Sequence, residues 1–198
     1  KTFTLVSEIY RLMKAGVVRR VLFLVDRRAL AAQAAGAFAK FQAEPGLWFP
    51  EIYNVYSSGF QRDLPEDDDA DDDAPAGKKK PPRFDPERLP QDRLTHPRTE
   101  DPFVYVCTIQ RMATHILGRQ AVFGLGEEPI DDDAGRLDIP LHAFDLVVAD
   151  ECHRGYTAQE VSTWRATLQH FDAIQIGLTA TPSSTTTSYF AHKVVDYG

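Results

Sequence analysis

Long apolar runs, clustered cysteines and a basic surplus are all missing from this 198-residue chain. No hydrophobic stretch approaches the roughly 20 residues that cross a bilayer, and the opening residues do not read as a secretory leader, though a fragment could have lost one. A membrane partner is therefore not expected. Cys107 and Cys152 are the two cysteines. They lack zinc-finger spacing, and His115 and His153 do not complete such a site. Reduced structural thiols in a cytoplasmic protein are the expectation, with a Cys107–Cys152 bridge as the weaker alternative. Lys1 stands where an initiator methionine would, so the chain reads as part of a longer protein. Its length suits one domain with a substantial core.

The net charge of −7 belongs mainly to one segment. From Arg62 to Asp101 roughly 13 acids face 8 bases, which is about −5 of the total. Glu66-Asp67-Asp68-Asp69 and Asp71-Asp72-Asp73 give way to Lys78-Lys79-Lys80-Pro81-Pro82. Blocks of like charge with proline and few large apolar residues cannot bury enough surface to offset ordering entropy. Residues 62–100 are read as an acidic, disordered insertion, a solvated loop in preference to an electrostatic decoy. The acidity therefore leaves a polyanionic partner open for the rest of the chain.

What is present begins with Asp150-Glu151-Cys152-His153, at the end of the apolar run Phe144-Asp145-Leu146-Val147-Val148-Ala149. A short branched run of this kind reads as a strand buried on both faces of a parallel sheet. Adjacent carboxylates at its tip repel and lose solvation unless a cation or proton shares them. A Mg²⁺-nucleotide site accounts for the pair, with Asp150 facing the metal and Glu151 an attacking water. A solvated strand end is the plainer alternative. Ile174-Gln175-Ile176-Gly177-Leu178-Thr179-Ala180-Thr181-Pro182 repeats the pattern, a strand stopped by proline. Thr179 and Thr181 share one side of an extended segment. They can bond the carboxylates or His153, or satisfy nearby backbone groups. At the front, Lys1-Thr2 opens the helix-spaced run Phe3 to Met13, which Gly16 can end. A phosphate-binding loop finishes in Gly-Lys-[Ser/Thr] at such a helix start. That places Lys1 on the β- and γ-phosphates and Thr2 on Mg²⁺.

The remaining pattern alternates. Helices are expected over residues 3–15, 28–43 (closed by Pro45-Gly46), 108–118 (capped by Thr108) and 158–170. Strands are expected over residues 20–26, 51–56 and 103–107, in the acidic run and in the threonine run. Residues 119–142 look irregular, with Gly124, Gly126, Pro129 and Asp131-Asp132-Asp133. Alternation implies a parallel sheet covered by helices on both faces, with ligands at the C-terminal strand ends. Trp48, Phe49, Tyr53 and Trp164 are expected to pack rather than stack on bases, and His142, His170 and His192 to be surface or packing residues.

Five motifs occur in order: Lys1-Thr2, Phe23-Leu24-Val25-Asp26-Arg27-Arg28-Ala29-Leu30, Val106-Cys107-Thr108-Ile109-Gln110-Arg111-Met112, Asp150-Glu151-Cys152-His153-Arg154 and Gly177-Leu178-Thr179-Ala180-Thr181-Pro182. With them the chain resembles the first RecA-like motor domain of superfamily-two helicases and translocases. It looks most like the restriction (R) subunit of type I restriction–modification enzymes and is similar to type III restriction subunits. The resemblance covers residues 1–198 apart from insertions at 62–100 and 119–142. It departs in lacking the phosphate-loop glycines, the strand before that loop and a second motor domain.

The resemblance implies an α/β P-loop NTPase fold of RecA type and an ATP-dependent DNA translocase using ATP and Mg²⁺. Lys1, Asp150 and Glu151 become catalytic, with Lys1 and Thr2 on the nucleotide and Thr2 and Asp150 on the metal. His153, Thr179 and Thr181 couple hydrolysis to movement. Arg27, Arg28, Thr108, Gln110 and Arg111 meet the phosphate backbone of duplex DNA. An Asp26–Arg27 tie and simple helix capping by Thr108 stay open as structural readings. Implied partners are a second RecA-like domain supplying an arginine, an upstream nuclease domain, and methylase and specificity subunits. Without that second domain the chain is expected to be inactive. Other DExH-type DNA or RNA helicases, and a non-catalytic nucleotide-binding lobe, remain alternatives.

Overall fold

Uninterrupted apolar runs form the centre of a parallel sheet. A computed structural model describes residues 2–58, 85–122, 133–150, 158–180 and 184–190. In chain order the elements are α1 (Thr2–Lys14), β1 (Arg20–Val25), α2 (Arg28–Ala39), β2 (Gln42–Glu44), β3 (Leu47–Trp48), α3 (Phe49–Ile52), β4 (Asn54–Ser57), α4 (Gln91–Thr95), β5 (Phe103–Thr108), α5 (Ile109–Leu117), α6 (Arg119–Val122), β6 (Leu146–Ala149), α7 (Ala158–Gln169), β7 (Ile174–Gly177) and α8 (Ser184–Tyr189). The main sheet has the order β4-β5-β1-β6-β7 with every pair parallel. This is the α/β arrangement the sequence implies. No helix among the described residues is long and apolar enough to cross a membrane.

Alternation along each strand splits the core in two. Val21, Phe23 and Val25 join Val104, Val106, Leu146 and Val148 on one face, beneath α1 and α2. Leu22 and Leu24 join Tyr105, Cys107, Val147 and Ala149 on the other, beneath α5 and α7. β1, β5 and β6 are buried along their whole length. β7 lies at the sheet edge, and its first residue Ile174 is 56% exposed.

Two expected boundaries move, each for a visible reason. The helix expected over residues 28–43 ends at Ala39, and Pro45-Gly46 turns a hairpin between β2 and β3 instead. Gly46 takes φ +81°, a conformation that favours glycine. Phe41 is drawn inward against Phe3, Tyr10 and Phe49. Glu44 accepts hydrogen bonds from the Tyr10 hydroxyl at 2.7 Å and Lys14 Nζ at 2.6 Å, so the hairpin is fastened to α1. The strand expected from Glu51 starts at Asn54, because Pro50 and Glu51 build the short helix α3 first. The Glu51 carboxylate accepts the Trp48 amide at 2.7 Å. Phe49 is fully buried against Phe38 and Tyr53, so this aromatic group packs the core as expected.

Residues 85–100 fall inside the expected insertion and carry ordered structure. Ser57 at the end of β4 forms an isolated parallel bridge with Arg88, and Leu89 and Leu94 are buried. The acidic runs at 66–73 lie outside the described residues. Within the expected irregular region, α6 forms first. Residues 133–137 are then laced to α5 through His115 Nδ1–Gly135 O (2.7 Å) and the Leu137 amide donating to His115 O (2.8 Å).

At the N-terminal end of the sheet, one carboxylate joins two strands. Asp145 Oδ2 accepts the Arg19 and Arg20 amides at 2.9 and 2.8 Å, and Oδ1 accepts Arg20 Nη2 at 2.8 Å. Burial pushes the Asp145 carboxyl up, but the Arg20 side chain and the two amides together hold it below its ordinary value. A lowered folded-state value means that this stabilisation is complete above the unfolded pKa and fades as pH falls through the folded one. Asp145→Asn is expected to lower the urea midpoint at pH 7, by a free energy of about 2–3 kcal/mol, since Arg20 stays buried. The gap to wild type should narrow below about pH 4; a constant gap refutes the assignment.

Gly177 sits under an aromatic ring. A methyl placed there would stand 2.6 Å from Phe190 Cε2. Gly177→Ala should therefore cost about 1–2 kcal/mol through overpacking. Adding Phe190→Ala should remove that specific penalty, giving a non-additive double-mutant cycle in thermal or urea unfolding.

Candidate functional site at the strand ends

Parallel register puts the loops after the strands on a single rim. Val25 pairs with Thr108, Leu24 with Ala149, and Ala149 with Gly177. The ladder runs one residue beyond the strands: the Asp150 amide donates to Leu24 O, and the Leu178 amide to Ala149 O, both at 2.8 Å. Asp26, Asp150 and the Leu178-Thr179 segment thus leave adjacent strands, which lie about 4.8 Å apart. α2 departs from β1 to one face and α7 follows β6 on the other. In such sheets a ligand usually sits between neighbouring strands whose following helices lie on opposite faces.

Thr2 reaches the same rim by a different route. α1 packs on the sheet through Leu5, Val6, Ile9 and Met13, and a short connection leads from Lys14 to the start of β1. The helix end is therefore at the N-terminal edge of the sheet. Its 13 residues rise about 20 Å, matching β1 and carrying Thr2 back to the C-terminal edge. Thr2, Asp150 and Thr179 are each half-buried. Their donor atoms are hard oxygens, the kind Mg²⁺ and phosphate-bound water prefer, so Thr2 and Asp150 chemically fit a magnesium nucleotide. Lys1, Glu151, His153 and Thr181 lie outside the described residues.

The basic candidates divide by burial. Arg27 Nε lies 3.4 Å from Asp26 Oδ2, a long contact that ties the loop after β1. Arg27 also stands at the start of α2, which no side chain caps and whose first turn has no acid. Arg28 is half-buried in that first turn. Thr108 is buried, and its hydroxyl accepts the Arg111 amide at 3.3 Å, so it caps α5. Gln110 is half-buried in the first turn of the same helix, and Gly118 (φ +88°) ends it.

Arg111 turns inward. It is 9% exposed, and its two terminal nitrogens each stand 3.0 Å from the Asp133 carboxylate. Arg88 Nη1 reaches the same carboxylate at 2.9 Å. Hydrogen bonds from Arg111, reinforced by the charges of Arg111 and Arg88, hold the Asp133 carboxyl down at about 2 against the opposing effect of burial. Sequence reasoning noticed Asp133 only as one of an acid cluster and did not single out Arg88. Asp133 lies 22 residues from Arg111 and 45 from Arg88 along the chain, separations with no local signature.

Comparison with known proteins agrees with this arrangement. The family described as "Type III restriction enzyme, res subunit" matches residues 1–184. The type I restriction enzyme EcoKI endonuclease subunit of Escherichia coli strain K12 is 28% identical over 212 aligned residues, covering all of this chain and 14% of that protein. The type I restriction enzyme EcoAI endonuclease subunit of Escherichia coli is 43% identical over 88 residues, covering 42% of this chain and 10% of that protein. The chain thus spans a small fraction of either relative's length. Motif order, the parallel RecA-like sheet and the match across residues 1–184 agree: the chain belongs to the restriction-enzyme res subunit family and forms its helicase-like domain.

Proposed function

We propose that this domain is the ATP-hydrolysing motor of a type I restriction enzyme R subunit, coupling turnover to movement along duplex DNA. The observation that carries the reading is the shared rim. Residues from the start of α1 and the ends of β1, β6 and β7 converge on the C-terminal edge of one sheet. When bound, Mg²⁺-ATP supplies the phosphoanhydride bond and a cation that neutralises its charge. Lys1 would sit against the β- and γ-phosphate oxygens, with the Thr2 hydroxyl and the Asp150 carboxylate holding the metal side. The Glu151 carboxylate would orient a water in line with the γ-phosphorus and take its proton. The new bond forms between that water oxygen and phosphorus as the bond to the β–γ bridging oxygen breaks. His153, Thr179 and Thr181 would sense phosphate departure through hydrogen bonds between adjacent strand ends.

Charge placement supports the second half of the reading. Arg27 and Arg28 open α2 one strand away from Asp150, and backbone amides at a helix start favour phosphate. Thr108 and Gln110 would add contacts at α5, and Arg111 would fix the neighbouring loop through Asp133. Under this reading the partners are duplex DNA, a second RecA-like domain and a nuclease domain of the same protein, and methylase and specificity subunits, all in the cytoplasm.

In the full-length subunit, Glu151→Gln should reduce DNA-stimulated ATPase by at least about 100-fold while leaving nucleotide affinity within about 3-fold of wild type. Phosphate release and fluorescent-nucleotide titration measure the two quantities; undiminished turnover removes Glu151 from the chemistry. The 198-residue chain by itself should show negligible ATPase, since the arginine of a second domain is needed to complete the site.

A further inference from the structure

We propose that Tyr189 and Phe190 are positioning residues for the Thr179-Ala180-Thr181 loop, which they hold by closing the following chain back onto β7. The inference rests on the coupling role proposed for those threonines and names the groups that place them. Gln175 and Gly177 stand two residues apart, so they face the same side of β7. The chain leaves β7 after Gly177, carries the threonines, enters α8 and then meets those same two strand positions. Tyr189 donates its hydroxyl to Gln175 Oε1 at 2.8 Å. The Phe190 ring lies so close to Gly177 that a methyl there would fall within 2.9 Å of three ring atoms. Two neighbouring residues at the end of α8 thus pin two positions of one strand. The chain from Leu178 to Ser188 begins and ends on β7, and joining its ends takes entropy from everything between them.

The attachment is a network rather than a single contact. Gln175 uses both ends of its amide: Nε2 donates to Leu168 O at 2.8 Å while Oε1 accepts from Tyr189. The Arg165 guanidinium stands 5.9 Å over the Tyr189 ring, and the Tyr189 and Phe190 rings meet edge to face at 4.9 Å. Burial raises the Tyr189 hydroxyl above its ordinary value against the opposing effects of Gln175 and Arg165. It therefore stays protonated, and remains a donor, at neutral pH.

What the network joins favours a role beyond packing. Leu168 and Arg165 belong to α7, the helix that follows the acidic strand, and Tyr189 to α8, the helix that follows the threonine loop. The loop is also held at its start, where the Leu178 amide donates to Ala149 O on that acidic strand at 2.8 Å. Through Gln175, the helices after Asp150 and after Thr179 are therefore fixed to one another as well as to the sheet.

The test uses the full-length subunit in its assembled enzyme, with displacement of a third strand from duplex DNA reporting movement and phosphate release reporting hydrolysis. Tyr189→Phe removes one hydroxyl; Phe190→Leu keeps an apolar side chain without the flat ring. Each should lower the distance moved per ATP about 2- to 10-fold, the range over which one neutral hydrogen bond shifts a partition between productive and idle turnovers, with the KM for ATP unchanged. Thr179→Val should lower it too, and adding Tyr189→Phe to Thr179→Val should bring no further loss, since both act through one loop. If Thr179→Val is impaired while Tyr189→Phe and Phe190→Leu move as far per ATP as wild type, the inference is overturned and the coupling reading stands. Losses that add in the double variant also overturn it, as does an equal fall in hydrolysis and movement, because either marks a general structural effect. An unimpaired Thr179→Val removes the coupling role, and the inference falls with it.

Discussion

The in-phase parallel ladder through β5, β1 and β6 is the constraint on which the other features rest. Each strand is walled by apolar side chains on both faces, so register fixes which core every residue enters. A slip of one residue would send Phe23 and Leu22 into each other's layer. The two layers contain different shapes, Phe38 against Phe23 on one side and Met112 among the neighbours of Leu22 on the other. Packing therefore resists the slip, and the same register aligns Asp26, Asp150 and Thr179 at one edge. Core specificity and functional geometry are one property here.

Polar ties reinforce the ladder at both ends. Asp145 links the starts of β1 and β6 by receiving two amides and a guanidinium. Asp133 does the corresponding work beyond the ends of β4 and β5, between α5 and the segment beside β4. Both acids belong to ion pairs whose arginine is nearly buried, where loss of one partner costs more than loss of an exposed pair. A chain with net charge −7 thus spends particular acids on particular cations rather than on general repulsion.

Much of this was legible in the residues. The apolar runs announced β1, β5 and β6 because burial on both faces leaves no room for polar alternation. Thr108 announced the start of α5 because its hydroxyl replaces a missing helical partner. Less legible was the stretch after α2, where an alanine-rich helix pattern continued past Ala39 in sequence but not in space. Phe41 preferred the aromatic core, and Glu44 was captured by Tyr10 and Lys14 from α1, some 30 residues away. The inward turn of Arg111 was equally hidden, since a basic residue at a helix start looks the same whether it faces solvent or Asp133. Long-range pairings of this kind leave no periodicity for a sequence reading to find.

The contact between Gly177 and Phe190 has a mechanical consequence. The Phe190 ring fills the volume that any side chain on the strand would claim, and Tyr189 beside it donates its hydroxyl to Gln175 Oε1 at 2.8 Å. α8 is thereby clasped to the strand from which the threonine loop springs. Little slack remains between them. Any sliding of α8 along β7 would first have to break the Tyr189–Gln175 hydrogen bond and lift the Phe190 ring off Gly177.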